Sequence, residues 1–224
     1  PFLLLTPRAA GARQLRPHPG ASTNRADLLN ANQARKLLSF KDESLTQLVQ
    51  EHWGSVRDGR DPAREQVIVE MRKLLEETPA DARRGHAVFR KVCGQCHGIY
   101  GEGQTVGPDL TNNGRGSFDQ LLSNVFDPSL VIGRAYQSQL VVTADGRVLN
   151  GLVVEETPSR LVLKLQGGKQ ETLARSDIEE SRRSRLSMMP EGLEKQLTPQ
   201  EIADLFAFLM LEKPPEQAAG GGAE

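Results

Sequence analysis

The chain has 224 residues, a formal net charge of −1 and a pI near 6.6. That length allows one to two domains, and the balanced charge excludes an electrostatic nucleic-acid binder. Hydrophobic residues make up 38 % and aromatics only 4 %, so a modest core is expected, with loops supplied by 21 glycines and 13 prolines; no apolar run is long enough to span a membrane.

Residues 1–24 are rich in Pro, Gly, Ala and Arg without periodicity and read as a flexible lead-in. Phe2 to Leu5 is too short for a signal h-region and follows no basic stretch. A start at Pro1 rather than Met is expected of a processed product or a piece of a longer protein. Residues 25–78 read as a helical segment, a linker or the end of a helical repeat region. Leu28, Leu29, Leu37 and Leu38 form one apolar stripe. Leu45, Leu48, Val49 and Trp53 form a second, ended by Gly54. Val67, Ile68, Met71, Leu74 and Leu75 form a third, opened by Asp61-Pro62 and closed by Pro79. His52 and Trp53 are read as packing residues rather than cofactor ligands.

A fourth helix is expected over 80–97, with Asp81 as N-cap and with Gly85 and Phe89 on one face. It ends in Cys93-Gly94-Gln95-Cys96-His97. This C-x-x-C-H pattern is the attachment signature of c-type haem. Two thiols three residues apart can reach the two vinyl groups of one haem, and the next residue, His97, can ligate the iron. The chain has only two cysteines, and both are here. A disulfide between them would close a tiny loop and stabilise little. A thioredoxin-like pair wants a βαβ context, and a zinc site wants a second ligand pair. His86 is read as a surface or propionate-side histidine. Six glycines punctuate the loop 98–116. Within it the Pro108 carbonyl is the candidate partner for the second ring nitrogen of His97, and Arg115 is a candidate cofactor-binding residue. A short helix is expected from Phe118 to Val125, stopped at Asp127-Pro128, with another from Ser129.

The period then changes to two. Strands are expected at 136–143, 148–155, 161–165 and 170–174, with a hairpin turn at Asp145-Gly146. The basic run Ser181 to Arg185 reads as a solvated loop, with docking or propionate pairing as its functional alternative. Met188 and Met189 lie in a loop before Pro190, where thioethers are unusual as core filler. Met189 is the favoured iron ligand and Met188 the alternative. Met71 and Met210 read as packing. The last helix runs from Pro199 to about Leu211, opened by Thr198, Pro199 and Glu201, and should cross the fourth helix near Gly85 and Phe89.

The order helix with Gly85 and Phe89, Cys93 to His97, Gly107-Pro108, Met189-Pro190, amphipathic helix resembles a class I cytochrome c. The long interval between His97 and Met189 departs from that pattern, and removing 135–180 restores an ordinary spacing. With that insertion the chain resembles the haem-binding domain at the C-terminus of large secreted proteins of planctomycetes and their relatives. The pieces that carry this likeness are His52-Trp53-Gly54, Cys93 to His97, Gly107 to Thr111, Asp127-Pro128-Ser129, Thr143 to Gly146 and Met188 to Leu193, within residues 40–211.

The expected fold is therefore mainly α: a class I cytochrome c fold with a small antiparallel β insertion, preceded by a helical segment. The expected domains are a lead-in at 1–24, helices at 25–78, a monohaem domain at 79–213 with 135–180 inserted, and a tail at 214–224. The expected cofactor is one covalent haem c, held by Cys93, Cys96, His97 and Met189, with Pro108 and Arg115 beside it and iron bound by His97 and Met189. The expected function is electron transfer as the accepting or relay domain of a larger secreted protein. The partner is a redox protein or a neighbouring domain, and the location is periplasmic or otherwise extracytoplasmic because haem c is attached there. The alternatives are a gas or peroxide sensor with a labile sixth ligand, and a docking module built on the insertion. No enzyme activity is expected within this chain, which has no G-x-G-x-x-G and no nucleophile–base constellation.

Overall fold

The computed structural model describes residues 31–57, 59–112 and 115–215, with only the backbone described at 31, 32, 35 and 52. The lead-in expected at 1–24, Leu28 and Leu29, the side chain of His52 and residues 216–224 of the expected tail lie outside the described residues. The chain divides into two compact units.

Among the described residues, the first unit holds 31–57, 59–61, 127–165 and 170–191. Helix α1 (Ala31–Leu38) and helix α2 (Glu43–His52) open it. Asp42 caps α2, its carboxylate accepting the Ser44 and Leu45 N–H groups. Strand β1 (Gly54–Val56) follows and pairs antiparallel with the distant β4 (Val131–Gly133). Ala34, Leu37, Leu45, Val49, Trp53 and Val131 close over one another as a small core. Trp53 thus serves packing, as its place on the apolar stripe implies.

The same unit carries β5 (Ser138–Thr143), β6 (Val148–Glu156), β7 (Arg160–Lys164), β8 (Gln170–Ala174) and β9 (Ile178–Arg183). They form one antiparallel sheet in the order β8-β7-β6-β5-β9. Val141, Leu161, Leu163 and Leu173 alternate onto its buried face, with Leu149, Leu165 and Ile178 packed around them. This sheet overturns the expectation of a mainly α fold: about 41 % of the structure is helical and 23 % is strand. Several local expectations also fail: residues 54–56, expected within a helical segment, form β1, and residues 98–103, expected as loop, carry a short two-stranded hairpin. The basic run is not wholly loop, because Ser181 to Arg183 lie in β9, where Arg182 faces Leu140 and Arg183 faces Gln139. This edge strand shows no apolar alternation, since its residues beyond Ile178 are exposed; charge on an edge discourages further pairing. No helix starts at Ser129. The β-branched Val131 and Ile132 pair with β1 instead.

Among the described residues, the second unit holds 62–112, 115–126, 166–169 and 192–215. It contains helices α3 (Pro62–Glu77), α4 (Ala82–Val92), α5 (Phe118–Phe126) and α6 (Pro199–Leu209), with the short hairpin β2 (Gly98–Ile99) and β3 (Glu102–Gly103) after α4. Asp81 caps α4. Thr198 and Glu201 form a reciprocal capping box on α6, with Pro199 at its first position. The core is aromatic. Phe89 and Phe208 lie 5.4 Å apart between ring centroids, and Phe126 stacks on Phe206 at 5.6 Å. Each fully buried Phe contributes about 1.5–3 kcal/mol. Met210, expected as packing, is the C-cap of α6 and 42 % exposed, because the helix turns it past the last core position.

Helices α4 and α6 are also tied by charge. Asp204, 2 % exposed, accepts the Asp81 N–H at 2.7 Å, Arg84 Nε–H at 2.7 Å, and Gln200 Nε2–H at 2.9 Å. The Arg84 guanidinium, more than the other donors, holds its carboxyl down to about 2. A depressed folded value contributes stability that is full above the ordinary carboxylate value and is lost as pH falls toward 2. Asp204→Asn is expected to cost about 2–3 kcal/mol at neutral pH, the lower end for a buried pair because Arg84 stays exposed. Urea midpoints should show that gap shrinking as pH falls below 4. A gap of the same size at pH 7 and near pH 2 would refute the assignment.

Candidate functional site

Helix α4 delivers the cysteines. After Val92 the backbone tightens: Cys93 N–H and Gly94 N–H both donate to Phe89 O, at 2.8 and 2.7 Å, and Cys96 N–H and His97 N–H both donate to Cys93 O, at 3.0 and 2.9 Å. These bonds set Cys93, Cys96 and His97 on a compact turn at the helix end. The following loop folds back on that turn. Gln104 N–H donates to Gly94 O at 3.0 Å, and Val106 and Gly107 N–H both donate to Cys96 O, at 3.0 and 2.7 Å.

His97 Nδ1 lies 2.9 Å from the Pro108 carbonyl oxygen. A carbonyl only accepts, so Nδ1 carries the proton and Nε2 keeps the lone pair a metal would use. Burial pushes the imidazole below its ordinary value, against the Pro108 carbonyl, which raises it. The neutral ring is the ligating form. Gly107 lies against the ring: a Cβ there would sit 2.5 Å from His97 Cε1.

Cys93 and Cys96 are both free and partly buried. Burial, helped by neighbouring Cys96, pushes the Cys93 thiol up to about 12. Burial also raises Cys96, while the Gly167 backbone, which hydrogen-bonds to it, lowers it. The β7–β8 turn, residues 166–169, therefore belongs with the attachment turn in the second unit. Nothing in the sequence pattern of that turn marks it as part of the site.

The other candidates are placed as follows. Arg115 fastens backbone: its Nε–H donates to Leu110 O at 2.5 Å and its Nη1–H to Leu209 O at 2.7 Å, with a further bond to Thr111 O. Its guanidinium also lies over the Tyr100 ring, 5.2 Å from the centroid. The loop is thereby locked to the end of α6. His86 Nε2 meets the Glu102 carboxylate at 2.9 Å, and its ring stacks on Phe208 at 5.0 Å. Met188 and Met189 are half-buried, in the first unit. Met189 N–H donates to Ser187 Oγ at 3.1 Å. Sequence reasoning missed Glu102, Gly167 and Ser187, each of which acts through a contact far from any motif or through a lone hydroxyl.

The donor set fits a c-type haem. Attachment adds each thiol S–H across a vinyl group, forming C–S and C–H bonds, so it needs reduced cysteines, and both are free. A neutral imidazole with Nδ1 already bonded is the proximal donor such a haem requires. Among the described residues, no three His, Cys, Asp or Glu side chains group as a site for a bare metal ion.

Residues 80–128 match the family described as cytochrome C oxidase, cbb3-type, subunit III. The match spans less than a quarter of the chain. It includes Cys93, Cys96, His97, Pro108 and Arg115 and ends before Met189. It supports a cytochrome c-type haem-binding domain over these residues, and with it haem-based electron transfer. No curated protein matches the chain significantly. Among the described residues no helix is long and apolar enough to cross a membrane.

Proposed function

We propose that this chain carries one covalently attached haem c and works as an electron-transfer module. The observation that carries the reading is His97 held at Nδ1 by the Pro108 carbonyl, on the turn that also presents two free thiols. Cys93 and Cys96 would supply the two thioethers, His97 the proximal ligand and Met189 the distal one. When bound, the haem supplies a one-electron Fe(III)/Fe(II) couple, and a methionine ligand raises its potential.

The protein's own residues do the rest. Pro108 holds the His97 ring in one tautomer and orientation. Gly107 leaves the space that ring occupies. Arg115 fixes the loop bearing both by anchoring Leu110 to Leu209. Two protein ligands leave no site for substrate, which makes the module a carrier rather than an enzyme. The partner is a redox protein or a neighbouring domain, and the location is extracytoplasmic, where haem c is attached. The likeness to the planctomycete C-terminal haem-binding domain supports a role as the relay domain of a larger secreted protein.

The test is the visible spectrum of the reduced protein, produced in a host that attaches haem c, with and without carbon monoxide. A low-spin c-type spectrum indifferent to carbon monoxide is expected. Ready binding of carbon monoxide would replace the carrier reading with a sensor or peroxidase. In Met189→Ala the sixth position should open to carbon monoxide. An unchanged spectrum there would remove Met189 as ligand and bring Met188 forward.

A further inference from the structure

The methionine loop, residues 187–191, is held on both sides of Met189, by Ser129 directly and by Arg57, which pairs with Asp127. On one side Ser187 N–H donates to Ser129 Oγ at 3.2 Å, and Met189 N–H donates to Ser187 Oγ at 3.1 Å. Ser129 is 2 % exposed, so water cannot readily replace its partner. On the other side Arg57 pairs with Asp127 and lies 3.9 Å from Glu191. Asp127 is fully buried and also faces Arg60 at 3.5 Å. The turn is closed by Leu130 N–H on Asp127 O at 3.1 Å and joined to β1 by Arg57 N–H on Leu130 O at 3.0 Å. Pro128 restricts the backbone between them. The result is a stiff post to which the loop is joined by one hydrogen bond, at Ser129, and by the longer Arg57–Glu191 ion contact.

We propose that the Asp127–Ser129 turn is the positioning device for the distal thioether, with Ser129 and Ser187 as positioning residues for Met189. The inference rests on Met189 being the axial ligand. A thioether is a weak, neutral donor on a flexible stem. Its retention on iron therefore depends on how far the loop already holds it in place. Each loop hydrogen bond lost raises the population in which the ligand has swung away. The N–H fastened to the turn is that of Ser187, and Met189 N–H is bonded in turn to the Ser187 hydroxyl, so the bond chain reaches this methionine in two steps.

The experiment compares Ser129→Ala, Ser187→Ala, Ser129→Thr and Met189→Ala in the haem-loaded protein. Two readouts are used: the near-infrared charge-transfer band of a ferric methionine-ligated haem, and the rate of carbon monoxide binding to the reduced protein. Melting temperature is the control. Both alanine variants are expected to weaken the band and to speed carbon monoxide binding about fivefold, the effect of one net hydrogen bond. Ser129→Thr, which keeps the hydroxyl, should behave as the parent. Ser187 is only half-buried, so its variant answers the question if Ser129→Ala does not fold. Should Met189→Ala abolish the band while both serine variants keep the parent band and rate, the positioning role is overturned, whatever their melting temperatures. Should Met189→Ala keep the band, the ligand assignment fails first and the positioning role falls with it.

Discussion

A Gly85→Ala variant is expected to lose the native packing of α4 against α6. A Cβ at this position would lie 1.8 Å from the Asp204 carbonyl oxygen, 2.5 Å from its carbon and 2.9 Å from Phe208 Cβ. The first two are backbone atoms and the third is fixed to backbone, so no side-chain rotation relieves the overlap. The helices must part by about 1.5 Å to restore ordinary contact. That separation loosens Phe89 against Phe208 and stretches the bonds from Asp81 and Arg84 to Asp204. Alanine is the better helix former by about 1 kcal/mol, but overpacking against backbone costs about 3 kcal/mol or more. The net loss is a large share of a marginal total of about 5–15 kcal/mol. Thermal unfolding checks it: a melting temperature equal to or above the parent's would refute the close crossing.

Gly107→Ala is expected to do the opposite, sparing the fold and spoiling the site. The new methyl would sit 2.5 Å from His97 Cε1, 2.8 Å from Nδ1 and 3.1 Å from Nε2. A ring can swing where a backbone cannot, so the imidazole would rotate away and give up its bond to Pro108 O. The partly buried ring carries little of the core, and melting should shift only slightly. The cysteines are untouched, so covalent haem should survive denaturation of the loaded protein. On the proposed ligation, the reduced spectrum should leave the low-spin form, because the imidazole would no longer meet the iron in its held orientation. A parent-like low-spin spectrum would show that the ring tolerates the methyl and that Gly107 is not needed for ligation.

Much of the helical half was legible because its signals are local. Asp81, Thr198, Pro199 and Glu201 mark helix starts by the chemistry of unsatisfied N–H groups, and α4 and α6 begin where these residues place them. Strands β5 to β8 were legible for the same reason, from period-two alternation and the Asp145-Gly146 turn. Strand β9 was not, because an exposed edge strand needs no apolar face, and Ser181-Arg182-Arg183 carries none. Strand β4 was not, because three residues show no period; their pairing with β1 is a long-range event.

The C-x-x-C-H motif alone determined the chemistry expected of this protein, since two thiols and an imidazole at that spacing have few other uses. Caps and periodicity determined where most elements begin. The tertiary structure decided the balance between helix and sheet, because the sheet's fifth strand is recruited by pairing rather than by its own propensity. It also decided which small residues matter. Gly85 faces a helix backbone, Gly107 faces a ring, and the Ser129 hydroxyl joins segments 58 residues apart by accepting the Ser187 N–H. A glycine or serine carries no pattern of its own; its role is set by the atoms that a distant part of the chain brings against it.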